Sequence, residues 1–159
     1  MPKEDRMPQD DRLIYLVFTA QQKLRTYLKN ALLAEGVKVT PTQTGILFLL
    51  KHKDGRTMTE LSQILCADNS TMTGLVDRLE KSGFVVRESS PTDRRALLIR
   101  ITEEGIDEID RAKAIIKRVN EEIGSGFSEE EITDFKKVLD SFFQKFNVAE
   151  SAALRKVAP

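Results

Sequence analysis

Residues 69–101 read NSTMTGLVDRLEKSGFVVRESSPTDRRALLIRI, and the folding of this run decides the architecture of the whole chain. Its first half places Met72, Leu75, Val76 and Leu79 at i, i+3, i+4 and i+7, one face of a helix. The other face carries Asn69, Ser70, Thr73, Asp77, Arg78 and Lys81, all polar or charged. Asp68 stands just ahead as an N-cap, and Gly83 behind as a left-handed stop, so the spacing predicts a helix over 69–82. Residues 84–87 and 96–101 are short apolar runs and read as two strands. Between them a turn of Ser89, Ser90, Pro91 and Thr92 leads to Asp93, Arg94 and Arg95. A polar-faced helix followed by a hairpin with paired arginines at its tip is the feature that the flanking sequence must explain.

Upstream, residues 11–34 hold Leu13, Ile14, Val17, Phe18, Leu24, Leu28, Ala31 and Leu32 at helical spacing, which predicts one long amphipathic helix ended by Gly36. Thr40 and Pro41 then open a second helix as cap and first residue. Its run from Ile46 to Leu50 is apolar nearly all round, so this helix is expected to be buried. Asp54-Gly55 turns the chain. A brief extended lead-in at Thr57 or Met58 precedes a short helix over 59–66.

Downstream, Thr102-Glu103-Glu104-Gly105 starts a long helix to about Ile123, its acids well placed for the helix dipole. Gly124-Ser125-Gly126 breaks it, and Ser128 with Glu131 forms a capping box for a last helix carrying Ile132, Phe135, Leu139, Phe142, Phe143 and Phe146. Residues 147–159 give no strong signal and either fray or continue the helix.

With 159 residues, 40% of them hydrophobic and 31% charged, the chain is expected to be one ordered, helix-rich domain. No apolar run approaches the roughly 20 residues of a membrane span. The opening MPKEDRMPQDDR has no apolar signal region, so a cytoplasmic protein without membrane association is expected. One cysteine, Cys66, and one histidine, His52, argue against a disulfide framework or a metal site, and no cofactor is expected. The sequence shows no nucleophile–base set and no glycine-rich phosphate loop, so an enzyme is not expected. Net charge is zero, but residues 102–134 concentrate 11 acids against 4 bases, which leaves room for a basic face elsewhere.

The order helix, helix, short helix, turn, helix, hairpin is the winged helix-turn-helix plan. The major groove of B-DNA is about 12 Å wide and admits one helix. The small residues Asn69, Ser70, Thr71 and Thr73 can approach bases and phosphates closely, and the amides at the start of that helix are expected to favour phosphate. Arg78 and Lys81 suit contacts further along. Arginine enters narrow minor grooves, which suits Arg94 and Arg95 at the hairpin tip. Asp93 is expected to orient an arginine, Arg95 among the two. A solvated surface helix and a surface ion pair remain the plainer readings of the same residues.

The run from Asn69 to Gly105 resembles the MarR family of bacterial transcription regulators, in its L-E-K-S-G helix end, its strand reaching Arg87, its D-R-R wing and its closing T-E-E-G step. The resemblance extends over about residues 10–147. It implies a mainly α fold with a small β-hairpin wing: a single domain over 1–159, with a winged helix lobe at 40–101 and dimerisation helices at 11–34 and 102–147. It implies a homodimer on palindromic double-stranded operator DNA, acting as a repressor released by a small-molecule effector or an oxidant. By the match, Arg95 is the minor-groove arginine and Asp93 its stabiliser. Apolar terminal helices rich in phenylalanine (Phe127, Phe135, Phe142, Phe143, Phe146) independently suggest a partner surface, with an internal core as the alternative.

Sensing is thinly written. Cysteine-sensing members of that family carry the thiol in the first helix, where this chain has none; Cys66 is expected to be a small, semi-buried residue. The resemblance places an effector pocket between the dimer helices and the lobe, with Tyr15, Phe18, Phe48 and His52 as candidates, although these are also ordinary core or helix-end residues. The competing functional reading is a winged-helix protein-interaction module without specific DNA binding.

Overall fold

The computed structural model describes residues 12–146 apart from Arg94, with Phe143 described by its backbone alone. Residues 147–159, where the sequence left fraying or continuation open, lie outside the described residues. The elements in chain order are α1 (Arg12–Ala34), α2 (Pro41–His52), β1 (Arg56–Thr57), α3 (Met58–Ile64), α4 (Asn69–Lys81), β2 (Val85–Ser89), β3 (Leu97–Ile101), α5 (Glu103–Gly124) and α6 (Glu129–Lys145).

The helix starts follow local chemistry. Thr40, Thr57 and Ser128 each form a reciprocal capping box, with Gln43, Glu60 and Glu131 respectively. The ends of α1 and α4 follow the αL rule. α1 closes with the Val37 amide donating to the Leu32 carbonyl across Gly36, whose φ is 72°. α4 closes with the Phe84 amide donating to the Leu79 carbonyl across Gly83, at φ 78°.

α3 ends in the same way but earlier than expected. It stops at Ile64, not at 66, because Cys66 takes the left-handed position at φ 51°, with the Ala67 amide donating to the Ser62 carbonyl. A non-glycine residue there costs about 1 kcal/mol. This bend aims the chain into α4, and it leaves Cys66 exposed rather than semi-buried as the sequence suggested.

The sheet has three antiparallel strands in the order β1-β3-β2. Val85 pairs with Ile101 and Ser89 with Leu97, so the first strand starts one residue later and ends two residues later than the expected 84–87. β1 pairs Arg56 with Ile99 and Thr57 with Leu98, turning the extended lead-in into a third strand. Arg56 is buried there, its Nε donating to the Leu49 carbonyl at 3.4 Å.

α2 runs through the centre: Ile46, Leu47, Leu49 and Leu50 have no exposure at all. Met72, Leu75, Val76 and Leu79 of α4 pack onto it, the face their spacing predicted. Each fully buried side chain of this size contributes about 1.5–3 kcal/mol of hydrophobic stabilisation. The core does not stop at residue 101. Ile109, Ala112 and Ile115 belong to it, so the first half of α5 is packed as part of the lobe.

A polar seam fastens α5 to α1, to the loop after it and to α2. Glu108 is fully buried, accepts from the Lys38 amide and pairs with Arg111. Lys51 pairs with Asp110 and Arg118 with Glu35. The Tyr27 hydroxyl donates to Glu122 at 2.6 Å, and that carboxylate pushes the phenol pKa up.

The outer helices are different. α1 buries only Leu32 and leaves Leu13, Ile14, Leu16 and Phe18 each more than half exposed. α6 buries none of its described side chains; Phe135 and Val138 are more than half exposed, as are the flanking Phe127 and Phe146. Phe142 is half-buried and meets Phe146 edge-on with ring centres 5.8 Å apart.

Candidate nucleic-acid interface

The burial of one side of α4 turns the other side outward. Asn69, Ser70, Thr71, Thr73, Arg78 and Lys81 are all exposed, as a recognition surface requires. Their hydroxyls are not loose. Asp68 gathers the start of the helix: its carboxylate accepts from the Ser70 hydroxyl at 2.6 Å, the Thr71 hydroxyl at 2.7 Å and the Thr71 amide at 2.7 Å. These bonds, the Ser70 hydroxyl first among them, hold the Asp68 carboxyl well below the usual carboxylate range. One of the amides at this helix start, that of Thr71, is thus already taken by a carboxylate. Further along, Thr73 donates to the Asn69 carbonyl at 2.8 Å, and Arg78 donates through Nε to the Gly74 carbonyl at 2.9 Å.

Asp77 and Glu80 would place two negative charges beside this surface. Both are turned aside by Arg87 of β2, which donates to Asp77 at 2.6 Å and to Glu80. These carboxylates push the Arg87 pKa up, the Asp77 hydrogen bond foremost. Sequence reading used Arg87 only as a landmark at a strand end and missed this bridge.

The hairpin tip is built around Ser90, which is buried. Its amide donates to the Ala96 carbonyl at 2.9 Å, and its hydroxyl accepts from the Thr92 and Asp93 amides at 3.3 and 3.4 Å. Asp93 accepts from the Arg95 backbone amide at 2.9 Å. Asp93 was expected to orient an arginine; among the described residues it holds the Arg95 main chain, a bond whose two-residue separation suits a local turn. Arg95 itself is exposed, and Arg94 lies outside the described residues. The base of the hairpin is pinned by Arg100, which pairs with Glu88 at 2.7 Å and with Asp54 at 3.3 Å. Asp54 also accepts from the Ile101 amide at 2.9 Å.

The effector candidates are dispersed by comparison. Tyr15 and Phe18 are 58% and 65% exposed on α1. His52 is exposed at the end of α2, and Phe48 is half-buried against the core. Among the described residues, no helix is long and apolar enough to cross a membrane.

Residues 39–97 match the model of the MarR family. The HTH-type transcriptional regulator MhqR of Bacillus subtilis is 27% identical over 121 residues, covering 76% of this chain and 82% of MhqR. The multiple antibiotic resistance protein MarR of Salmonella typhimurium is 33% identical over 94 residues, covering 59% of this chain; the match spans 62% of that relative's length. Among solved structures, the transcriptional repressor CouR bound to a 23-mer DNA duplex superimposes with a TM-score of 0.79 at 25% identity, covering 88% of this chain and 99% of that one. CouR from Rhodococcus jostii RHA1 bound to p-coumaroyl-CoA gives a TM-score of 0.72 at 28% identity, covering 86% of this chain and 95% of that one. The match over residues 39–97 and the superposition on CouR make this chain similar to MarR-family transcription regulators in its winged helix lobe and overall fold.

Proposed function

We propose that this chain is a homodimeric, cytoplasmic transcription regulator that binds palindromic double-stranded DNA and acts as a repressor released by a small-molecule effector. The observation that carries the reading is the pairing of two exposed elements, the polar face of α4 and the wing tip with Arg95, on one rigid lobe. α4 enters the major groove through Asn69, Ser70, Thr71 and Thr73, with Arg78 and Lys81 further along. Arg95 and Arg94 reach the flanking minor groove, and Asp93 holds the turn that presents them. The likeness to CouR on DNA supports this docking.

The homodimer rests on the apolar faces of α1 and α6, which a lone chain leaves in water. A two-fold dimer sets two α4 helices about 34 Å apart, on half-sites about 10 bp apart. The dimerisation segments are then 11–34 and 102–147 and the lobe 40–101, joined by the first half of α5. An effector between lobe and dimer helices, at Tyr15, Phe18, Phe48 and His52, acts only if it binds the two spacings with different affinity. The p-coumaroyl-CoA complex of CouR supports such a site.

The test is fluorescence anisotropy of the protein with DNA from upstream of its own gene, beside a scrambled duplex. Specific, salt-sensitive binding is expected, with Arg95→Ala weakening it by about 1–3 kcal/mol and leaving the circular dichroism unchanged. Equal weak binding to both duplexes, unaffected by Arg95→Ala, would point instead to the protein-interaction reading.

A further inference from the structure

The hydroxyls on the outward side of α4 share one property: each has its hydrogen committed inward. Ser70 and Thr71 donate to the Asp68 carboxylate at 2.6 and 2.7 Å, and Thr73 donates to the Asn69 carbonyl at 2.8 Å. A hydroxyl has one hydrogen and two acceptor lone pairs. Bonds to an ionised carboxylate are short and about twice as strong as neutral ones, so these hydrogens are not readily redirected. What Ser70, Thr71 and Thr73 can offer outward is therefore lone pairs.

We propose that Asp68 is a specificity-determining residue: by fixing the Ser70 and Thr71 hydroxyls as acceptors, it makes α4 read bases that present an exocyclic amine in the major groove. This rests on the DNA-binding reading above and adds to it a polarity of recognition. In the major groove adenine presents an N6 amine where guanine presents an O6 acceptor, and cytosine presents an N4 amine where thymine presents an O4 acceptor. A hydroxyl free to rotate would accept either member of each pair. An acceptor-only hydroxyl selects adenine over guanine and cytosine over thymine, and a guanine or thymine placed there sets two acceptors against each other.

Asp68→Asn separates the hydroxyl lock from the helix cap. Asparagine is as good an N-cap as aspartate, so α4 keeps its start. Its amide has only one acceptor oxygen, and its NH2 donates. One of the two hydroxyls then accepts from the amide and turns its own hydrogen outward. Loss of the Asp68 charge also raises affinity for every duplex alike, so the informative quantity is a ratio between duplexes and not an affinity.

The experiment starts with selection from a randomised duplex library by the wild-type full chain, followed by anisotropy on the selected site. At each half-site position protected by Ser70 or Thr71, the A·T to G·C and C·G to T·A exchanges are measured. So is replacement of adenine by purine, which deletes only the N6 amine. Expected for the wild type is a loss of about three- to tenfold for each exchange and for the purine duplex. Asp68→Asn should shrink the exchange penalties to within about twofold, while Ser70→Ala and Thr71→Val become insensitive to purine. Circular dichroism confirms that the variants fold. A selected site whose base preferences are the same in the wild type, Asp68→Asn, Ser70→Ala and Thr71→Val overturns the inference and leaves the regulator intact. Failure of the wild-type chain to select any sequence overturns the DNA-binding reading, and this inference with it.

Discussion

Arg87 on β2 donates through Nη2 to the Asp77 carboxylate on α4 at 2.6 Å, and through Nη1 to Glu80 one turn on. The strand that leads into the wing and the helix α4 are thus joined by a single guanidinium, whose fork reaches two carboxylates at once. In the proposed docking the bridge also withdraws two negative charges from the vicinity of DNA phosphates. Arg87→Gln should therefore weaken specific DNA binding about tenfold while lowering stability by only about 1 kcal/mol, since the partners are partly solvated. Arg87→Lys should recover part of the affinity, and Asp77→Asn in the Arg87→Gln background more of it, by removing the exposed charge. Anisotropy titrations with parallel urea melts check this; a loss in binding no larger than the loss in stability would reduce Arg87 to a purely structural residue.

Gly105 stands in the first turn of α5 against the backbone of Phe84. A Cβ built there lies 2.2 Å from the Phe84 carbonyl oxygen and 2.9 Å from Ile101 Cγ1. The carbonyl is not free to retreat, because it accepts the Thr102 amide at 3.1 Å. Gly105→Ala should cost about 1–3 kcal/mol through overpacking, although alanine is the better helix former. A urea denaturation midpoint equal to that of the wild type would show that the α5 start shifts freely.

Phe135 is 51% exposed on a helix that buries none of its described side chains. If α1 and α6 are the dimer surface, Phe135→Asp places a charge in an apolar contact and leaves the lobe untouched. Sedimentation velocity should shift from dimer toward monomer, with the helical circular dichroism signal retained. DNA binding should fall with it, because one lobe reaches only one half-site. A variant that sediments as the wild type does would move the interface away from this part of α6.

At two helix starts, those of α3 and α4, a carboxylate is held below its ordinary range. Glu60 is lowered from its ordinary 4.5 chiefly by the hydrogen bond from the Thr57 amide, and Asp68 is lowered from 3.8 by Ser70 and Thr71. A depressed folded pKa stabilises the fold above the unfolded value and loses that contribution as pH falls through the folded one. Stability should therefore be insensitive to these two groups above pH 5 and decline below about 4.5. Glu60→Gln and Asp68→Asn should each flatten that decline. A thermal melting series between pH 7 and pH 2 tests this; identical slopes for the wild type and both variants would show that other carboxylates carry the acid loss.

The helices, their caps and their buried faces were legible in the sequence because each depends on residues within a turn or two. Thr40 with Pro41, Asp68 with the Met72, Leu75, Val76 and Leu79 stripe, and Ser128 with Glu131 carry their own instructions, as does the left-handed Gly83. The hairpin and its exposed Arg95 were legible for the same reason, a turn between two apolar runs. The Asp68 lock was half visible: an acid followed two and three residues later by Ser70 and Thr71 is a local signal, but a cap alone was read from it.

What only the tertiary structure decided involves partners distant in the chain. A two-residue strand such as Arg56–Thr57 has no periodicity to detect and exists because Leu98 and Ile99 arrive beside it. Arg87 finds Asp77 and Glu80 only when β2 folds back along α4, and Glu108 becomes a buried carboxylate only when the Lys38 amide meets α5. Even Cys66, just past a helix that looked longer, takes a left-handed backbone at φ 51° on the way from α3 into α4. Local hydrogen bonding and spacing set the elements; packing between elements set which of their charges face outward and which are spent on one another.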